Sequence, residues 1–271
     1  MQDDAVVIDR HAVSANSSND GLSAYSGRIA RTQSLVREDG VFAERDFRDL
    51  ERFAISCAGY ASVVGSNSSN VGVQEFAALA TRAALLRFRS VVIDDSGEEV
   101  TIGDISAAMS RRNPGYSVAT FDWIQAMSEA GAVNQEGGLD DVQALLDYPQ
   151  ALLAQADRAT ASNVEYYAAY RGALRSVYLA EPMKRVAESI HETIKLADNS
   201  DDWQIDIEGP ALDTLWGACA VADEVDFNKH LAKALVTHRH YWSGSDELLR
   251  APEGFIAWRL LPIVKFARAR T

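Results

Sequence analysis

The chain has 271 residues, 47% of them hydrophobic and 24% charged, which is the balance of a soluble globular protein with a sizeable core. Its net charge of -13, from 26 Lys and Arg against 39 Asp and Glu, argues against direct nucleic-acid binding, which needs a basic footprint. No apolar run approaches the roughly 20 residues of a membrane span, and the acidic opening MQDDAVVIDRH lacks the features of a secretory signal. Cys57 and Cys219 lie far apart in apolar contexts, as buried thiols of a reducing compartment do, so a cytoplasmic protein is expected.

Helical periodicity dominates the chain. A first helix is expected over 21–38, starting after Asn19-Asp20. The next, 42–65, sets Phe42, Phe47, Leu50, Phe53, Ala54, Cys57 and Ala61 on one face, and the polar turn SNSSN at 66–70 ends it. An Ala- and Leu-rich helix follows at 73–89. In SVVIDDSGEEVTIG, 90–103, two β-branched runs flank a Gly-containing turn and predict a β-hairpin. Its tip carries Asp94, Asp95, Glu98 and Glu99, a candidate contact patch. DISAAMSRR, 104–112, is expected as a short helix, and 117–132 as another with Phe121, Ile124 and Met127 inward.

Short helices broken at Pro149 come next, then NVEYYAAYRGALRSVYLA, whose Tyr166, Tyr167, Tyr170 and Tyr178 suit a core lining. Pro182 marks the start of a helix on which Met183, Val186, Ile190 and Ala197 recur. The stretch NSDDWQIDIEGP, 199–210, reads as an acidic connecting loop. Asp201, Asp202, Asp206 and Glu208 surround Trp203 there, a composition found at protein interfaces. A helix with Leu212, Leu215, Trp216 and Cys219 inward follows. The last helix, PEGFIAWRLLPIVKFARA, is apolar nearly all round, with a kink expected at Pro262. The sum is an all-α, single-domain multi-helix array over 1–271 with one small β-hairpin near 90–103.

Catalytic signatures are missing: there is no P-loop, no Gly-x-Gly-x-x-Gly, no Gly-x-Ser-x-Gly and no His-Glu-x-x-His. The adjacent acidic pairs Asp94-Asp95, Asp140-Asp141 and Asp201-Asp202 do not face one another on a regular element, so they are weak candidates for acid/base work. Three of the five histidines fall in FNKHLAKALVTHRHYW, 227–242. Helical phasing puts His238 in a stripe with Phe227, Leu231, Ala234, Leu235, Tyr241 and Trp242, and turns His240 to the opposite side. The two therefore diverge, and no metal or other cofactor is expected. The competing reading is a helical enzyme or metalloprotein using His191, His230, His238 or His240 with carboxylates.

DFNKHLAKALVTHRHYW, a polar gap, and RAPEGFIAWRLLPIVKFARAR together resemble the C-terminal signature of the immunity protein 49 family. The matching positions are Asp226, Phe227, Asn228, His238, Tyr241, Trp242, Pro252, Glu253, Gly254 and Phe255, and the likeness covers about 213–270. The chain departs from a more evenly apolar final helix at Arg259, Pro262 and Lys265. The resemblance implies a mostly helical, non-enzymatic protein encoded beside a bacterial polymorphic toxin, often one delivered by contact-dependent or type VI-like secretion. Its role would be to bind and neutralise that toxin. The acidic balance then points to a partner with a basic surface, such as a nuclease or a nucleic-acid deaminase. Asp201, Asp202, Trp203, Asp206 and Glu208 are the first expected contacts, with Asp94, Asp95, Glu98 and Glu99 second. The signature residues are expected to be structural.

Overall fold

The computed structural model describes residues 15–64, 71–115, 118–133, 139–160, 163–197, 201–221 and 224–268. The turn expected at 66–70 and the opening residues 1–14 lie outside them. The described residues are mostly helical, with twelve α-helices and a small three-stranded sheet. They divide into two compact units, one up to residue 164 and one from 165 onward.

In the first unit, α1 (Ala15–Asp39) packs on α2 (Glu44–Val64), and α2 on α3 (Val71–Val92). The apolar face foreseen for α2 is largely present: Phe47, Leu50, Phe53, Ala54 and Cys57 are buried and Ala61 is half-buried, while Phe42 lies in a short strand before the helix, where it is buried and stacks on Phe47 at 5.1 Å. Asn19 and Asp20 lie inside α1 rather than at its start. Against α3 lies α4 (Thr120–Val133), which packs on α5 (Leu139–Leu146) and α6 (Gln150–Thr160). On α4 the inward aromatic is Trp123, fully buried with its indole donating to Leu145 O at 2.8 Å, while Phe121 stays 40% exposed. Asp157 of α6 accepts from the backbone N and hydroxyl of Thr120, both at 2.7 Å, and so anchors the start of α4.

The hairpin exists, but later in the chain than its β-branched signal suggested. Ser90-Val91-Val92 complete α3, and the paired strands are β2 (Glu98–Ile102) and β3 (Ile105–Met109). The expected helix at 104–112 is therefore largely a strand. Ile105, Ala107 and Met109 point inward while Ser106 and Ala108 point out, a period of two that no helix satisfies. Ile102 pairs with Ile105, so the turn is the two residues Gly103-Asp104, and Gly103 supplies the required positive φ of 60°. A short β1 (Val41–Phe42) joins β3 in parallel, giving the order β1-β3-β2.

A buried charge cluster ties three helices of this unit together. Arg87 on α3, 3% exposed, meets Glu51 of α2 at 2.8 Å and Asp122 of α4 at 3.1 Å. Glu129, fully buried, also acts on Arg87. One guanidinium thus serves three carboxylates. Burial pushes Glu51 up to about 7, with Arg87 opposing the rise and Asp122 adding to it.

The second unit opens with α7 (Val164–Tyr178), then α8 (Met183–Lys195), α9 (Gly209–Trp216), α10 (Glu224–Trp242), α11 (Asp246–Arg250) and α12 (Leu261–Arg268). Pro182 caps α8 as expected, and α8 buries Val186, Ile190 and Thr193. Tyr166 and Tyr170 of α7 are buried. The stripe on α10 is only half-covered: Ala234 and Trp242 are buried, whereas Phe227, Leu231, Leu235, His238 and Tyr241 are half-buried. The closing apolar segment is not one kinked helix. Pro252–Phe255 form a 3-10 turn, Ile256 is extended, and α12 starts at Leu261. Pro262 thus sits in the first turn, where its missing N–H costs nothing, and no kink arises.

Candidate functional site

The acidic stretch after α8 is helical where a loop was expected. Asp201 starts it: its carboxylate accepts from Trp203 N at 3.0 Å, Gln204 N at 3.3 Å and Gln204 Nε2 at 3.1 Å, satisfying donors at the helix start. Pro210 brings no N–H to the next turn, and Gln204–Glu208 widen into a π-helical turn in which Gly209 N reaches back to Gln204 O. This turn sorts the side chains. Gln204, Ile207 and Glu208 are buried, Asp202 and Ile205 are exposed, and Asp201, Trp203 and Asp206 are half-buried.

Glu208 belongs to the core, not to a surface contact. It is 0% exposed and its carboxylate lies 3.6 Å from Arg259 Nη2, itself 5% exposed at the side chain. Burial raises the Glu208 carboxyl, and Arg259, Trp203 and Tyr166 partly offset that rise. Burial holds the Tyr166 and Tyr170 phenols well above the ordinary range; Glu208 adds to the rise at both, and Arg259 opposes it at Tyr170. Arg259, where the sequence departs from an evenly apolar helix, is therefore the counter-charge of a buried acid.

Above this pair sits an aromatic layer. Trp203 meets Tyr241 edge-on at 5.5 Å and Trp242 at 6.1 Å, and Tyr241 meets Trp242 at 5.3 Å. The Tyr241 phenol is raised first by burial and then by Asp201, Asp202 and Asp206, so all three carboxylates act on one ring. Among the described residues, none of the three forms an ion pair with a basic side chain. The result is a surface of three acids with no basic side chain paired to them among the described residues, Asp201 engaged by the helix-start N–H groups, around half-buried Trp203 and Tyr241, with Ile205, 44% exposed, beside them.

Residues 73–271 match the family model of immunity protein 49. The chain belongs to the immunity protein 49 family. No curated protein and no solved structure matches it. As an immunity protein 49 member it carries the family's role, immunity to a toxin.

The immunity protein 49 signature has a clear structural part. Trp242 ends α10 and packs against the Pro-Glu-Gly-Phe turn, where a Cβ on Gly254 would sit 2.3 Å from Trp242 Cδ2. Only glycine permits that approach. Pro252 and Gly254 are buried, and Glu253 and Phe255 half-buried. At the head of α10, Asp226 holds Lys229 at 2.8 Å, Phe227 is half-buried and Asn228 is exposed. Tyr241 does more than pack: it brings the signature helix into the acidic surface. The sequence reading kept the two apart because Tyr241 and the 201–206 run are joined only by the fold.

The acids expected at the hairpin tip are not there: the tip is Gly103-Asp104, Asp94 and Asp95 lie between α3 and β2, and Glu98 and Glu99 begin β2. Asp95 pairs with Arg111 at 3.2 Å and Glu98 with Arg89, while Asp94 accepts from Ser96 N at 3.0 Å in a local turn; Glu99 is exposed. The histidines are dispersed. His191 and His240 are exposed, His230 lies against Gly217, and half-buried His238 faces Trp242 at 6.2 Å. Among the described residues no group of three His, Cys, Asp or Glu side chains is placed to hold a metal ion, and no helix is long and apolar enough to cross a membrane.

Proposed function

We propose that this immunity protein neutralises its toxin by direct binding through Asp201, Asp202, Trp203, Asp206 and Tyr241. The observation that carries the reading is the set of three acids around two aromatic side chains, none of the three in an ion pair with a basic side chain among the described residues. Asp202 is exposed and Asp206 half-buried, so their charge is available to a partner, while Asp201, engaged at the helix start, adds to the local negative field; flat amphipathic rings give contact area at low entropic cost. The hairpin acids rank below them, because Arg89 and Arg111 already answer two of the four.

The complementary partner has a basic surface. A toxin that acts on nucleic acid needs one to attract phosphates, so a nuclease or a nucleic-acid deaminase fits, and its groove is the surface the acids would cover. The net charge of -13 steers such an encounter from beyond the contact itself. The site of action is the cytoplasm of the toxin producer and its siblings.

Co-expression with the toxin encoded beside this chain tests the reading. Wild-type protein restores growth and co-purifies with the toxin, while Asp202→Lys/Asp206→Lys loses both and keeps its helical circular dichroism. Wild-type protein that neither protects nor co-purifies would sink the proposal.

A further inference from the structure

Trp203 shows the acidic surface its ring but not its polar edge. The residue is half-buried, whereas its Nε1 is shut off from solvent and closes no hydrogen bond of ordinary length among the described residues. A buried indole N–H calls for an acceptor, and leaving it unpaired is costly. The acceptor within its reach is Glu208. Trp203 acts on that carboxylate as a hydrogen-bond donor, and so does Tyr166 of α7. The Tyr166 hydroxyl and both Glu208 oxygens are buried as well, and they too close no hydrogen bond of ordinary length among the described residues. Two buried donors thus converge on one buried carboxylate.

The backbone explains the juxtaposition. Residues five apart lie about 140° apart around an α-helix, which would turn Trp203 and Glu208 to different sides. The π turn over Gln204–Glu208, closed by Gly209 N on Gln204 O, adds a residue to the turn and brings the two back toward one side. Arg259, 3.6 Å from the carboxylate, supplies the counter-charge that lets an acid stand there. Stability alone does not account for the pair, because two apolar side chains of similar volume would hold a core as well or better. What the charged pair adds is an acceptor beneath the indole.

We infer that Glu208 is a positioning residue for toxin binding: it accepts the Trp203 indole N–H and so fixes the ring that the acidic surface presents. The inference rests on the toxin-binding reading above. Tyr241 at 5.5 Å and Trp242 at 6.1 Å meet the ring edge-on, and Glu208 sets its remaining freedom, rotation of the polar edge away from the core. A ring held in one orientation before contact loses less freedom on binding.

The Trp203 indole N–H resonance, identified by its loss in Trp203→Phe, is followed in the isotope-labelled full chain. In wild type it should exchange slowly with solvent, and exchange at the rate of a free indole overturns the inference. Glu208→Leu/Arg259→Met removes the acceptor and both charges while keeping apolar bulk. Glu208→Gln/Arg259→Met keeps an acceptor without the charge. The first variant should speed indole exchange about tenfold or more with no fall in melting temperature, and the second should return it toward wild type. An indole signal that the apolar pair leaves unchanged, or that glutamine fails to restore, overturns the inference.

Toxin binding separates the two claims. Glu208→Leu/Arg259→Met should bind the toxin about tenfold more weakly than wild type, and Glu208→Gln/Arg259→Met within about threefold of it. A merely structural pair would leave both variants binding as wild type does; that outcome sinks the inference and leaves the toxin-binding reading standing. If wild type itself does not bind the toxin, the reading fails, and with it the role assigned to Glu208.

Discussion

Single positions in this chain are decided by partners far away in sequence. Glu208 looks like one more acid in SDDWQIDIEGP, yet Arg259 and two tyrosines make it part of the core. Burial of an acid depends on where its counter-charge lies, and local periodicity holds no record of that. Gly254 is the opposite case, since the Pro-Glu-Gly-Phe pattern was legible and the structure supplies its reason. Gly254→Ala forces a methyl into the Trp242 ring and should lower stability by about 1–3 kcal/mol, read from urea unfolding. An unchanged midpoint would show that the turn and indole are not in tight contact. Arg87→Met leaves Glu51, Asp122 and Glu129 without their cation and should cost roughly 3–5 kcal/mol.

The same cluster predicts a pH response. Glu51 rises to about 7 in the folded protein, so the native state binds that proton more tightly than the unfolded chain does. Its contribution to stability is full below the ordinary carboxylate value of 4.5 and is lost as pH rises to about 7. Burial pushes Asp122 the same way. Melting temperature should therefore fall between pH 5 and pH 7.5 through this cluster, and Glu51→Gln should flatten the slope. A wild-type slope that Glu51→Gln leaves intact would place the titration elsewhere.

Among the elements, long amphipathic helices were readable and short ones were not. The faces of α2, α7 and α8 follow from apolar spacing, because each buries a stripe against its neighbours. The hairpin was displaced because Val91-Val92 favour a strand locally, whereas Val91, with Phe88, joins the buried face of α3. The sounder signal was Gly103-Asp104 between two alternating runs, and Gly103→Val should destabilise the protein by about 1–2 kcal/mol through its positive φ. Full stability in that variant would mean the turn adopts another geometry. The segment at 199–210 was legible as acidic and aromatic, but not as helix. Its start depends on the Asp201 cap and its π turn on Pro210, neither of which follows the apolar period. What could have drawn attention to Tyr241 was its place next to the last residue of the signature helix, with an aromatic on each side of the sequence gap.

The molecule as a whole is an acidic helical protein of the immunity protein 49 family, and that much was legible from composition, helical period and the C-terminal signature. Composition speaks to fold class because a helical core of this size needs only repeated apolar stripes. The acidic surface proposed to face the toxin was not legible as a unit, because Asp201, Asp202 and Asp206 come within electrostatic reach of Tyr241 only through the fold. A chain of charge -13 that meets a basic partner should associate more slowly as salt rises, with dissociation changed far less. Stopped-flow mixing over roughly 0.05–0.5 M salt reads this directly, and a salt-independent on-rate would remove steering from the account.

The most direct test of toxin neutralisation by the Trp203–Tyr241 surface is calorimetric titration of the purified toxin domain encoded beside this chain. The account predicts stoichiometric binding by the wild-type protein and binding at least about tenfold weaker by Asp202→Lys/Asp206→Lys, with melting curves unchanged. Absence of wild-type binding, or equal affinity for the charge-reversed protein, would contradict it.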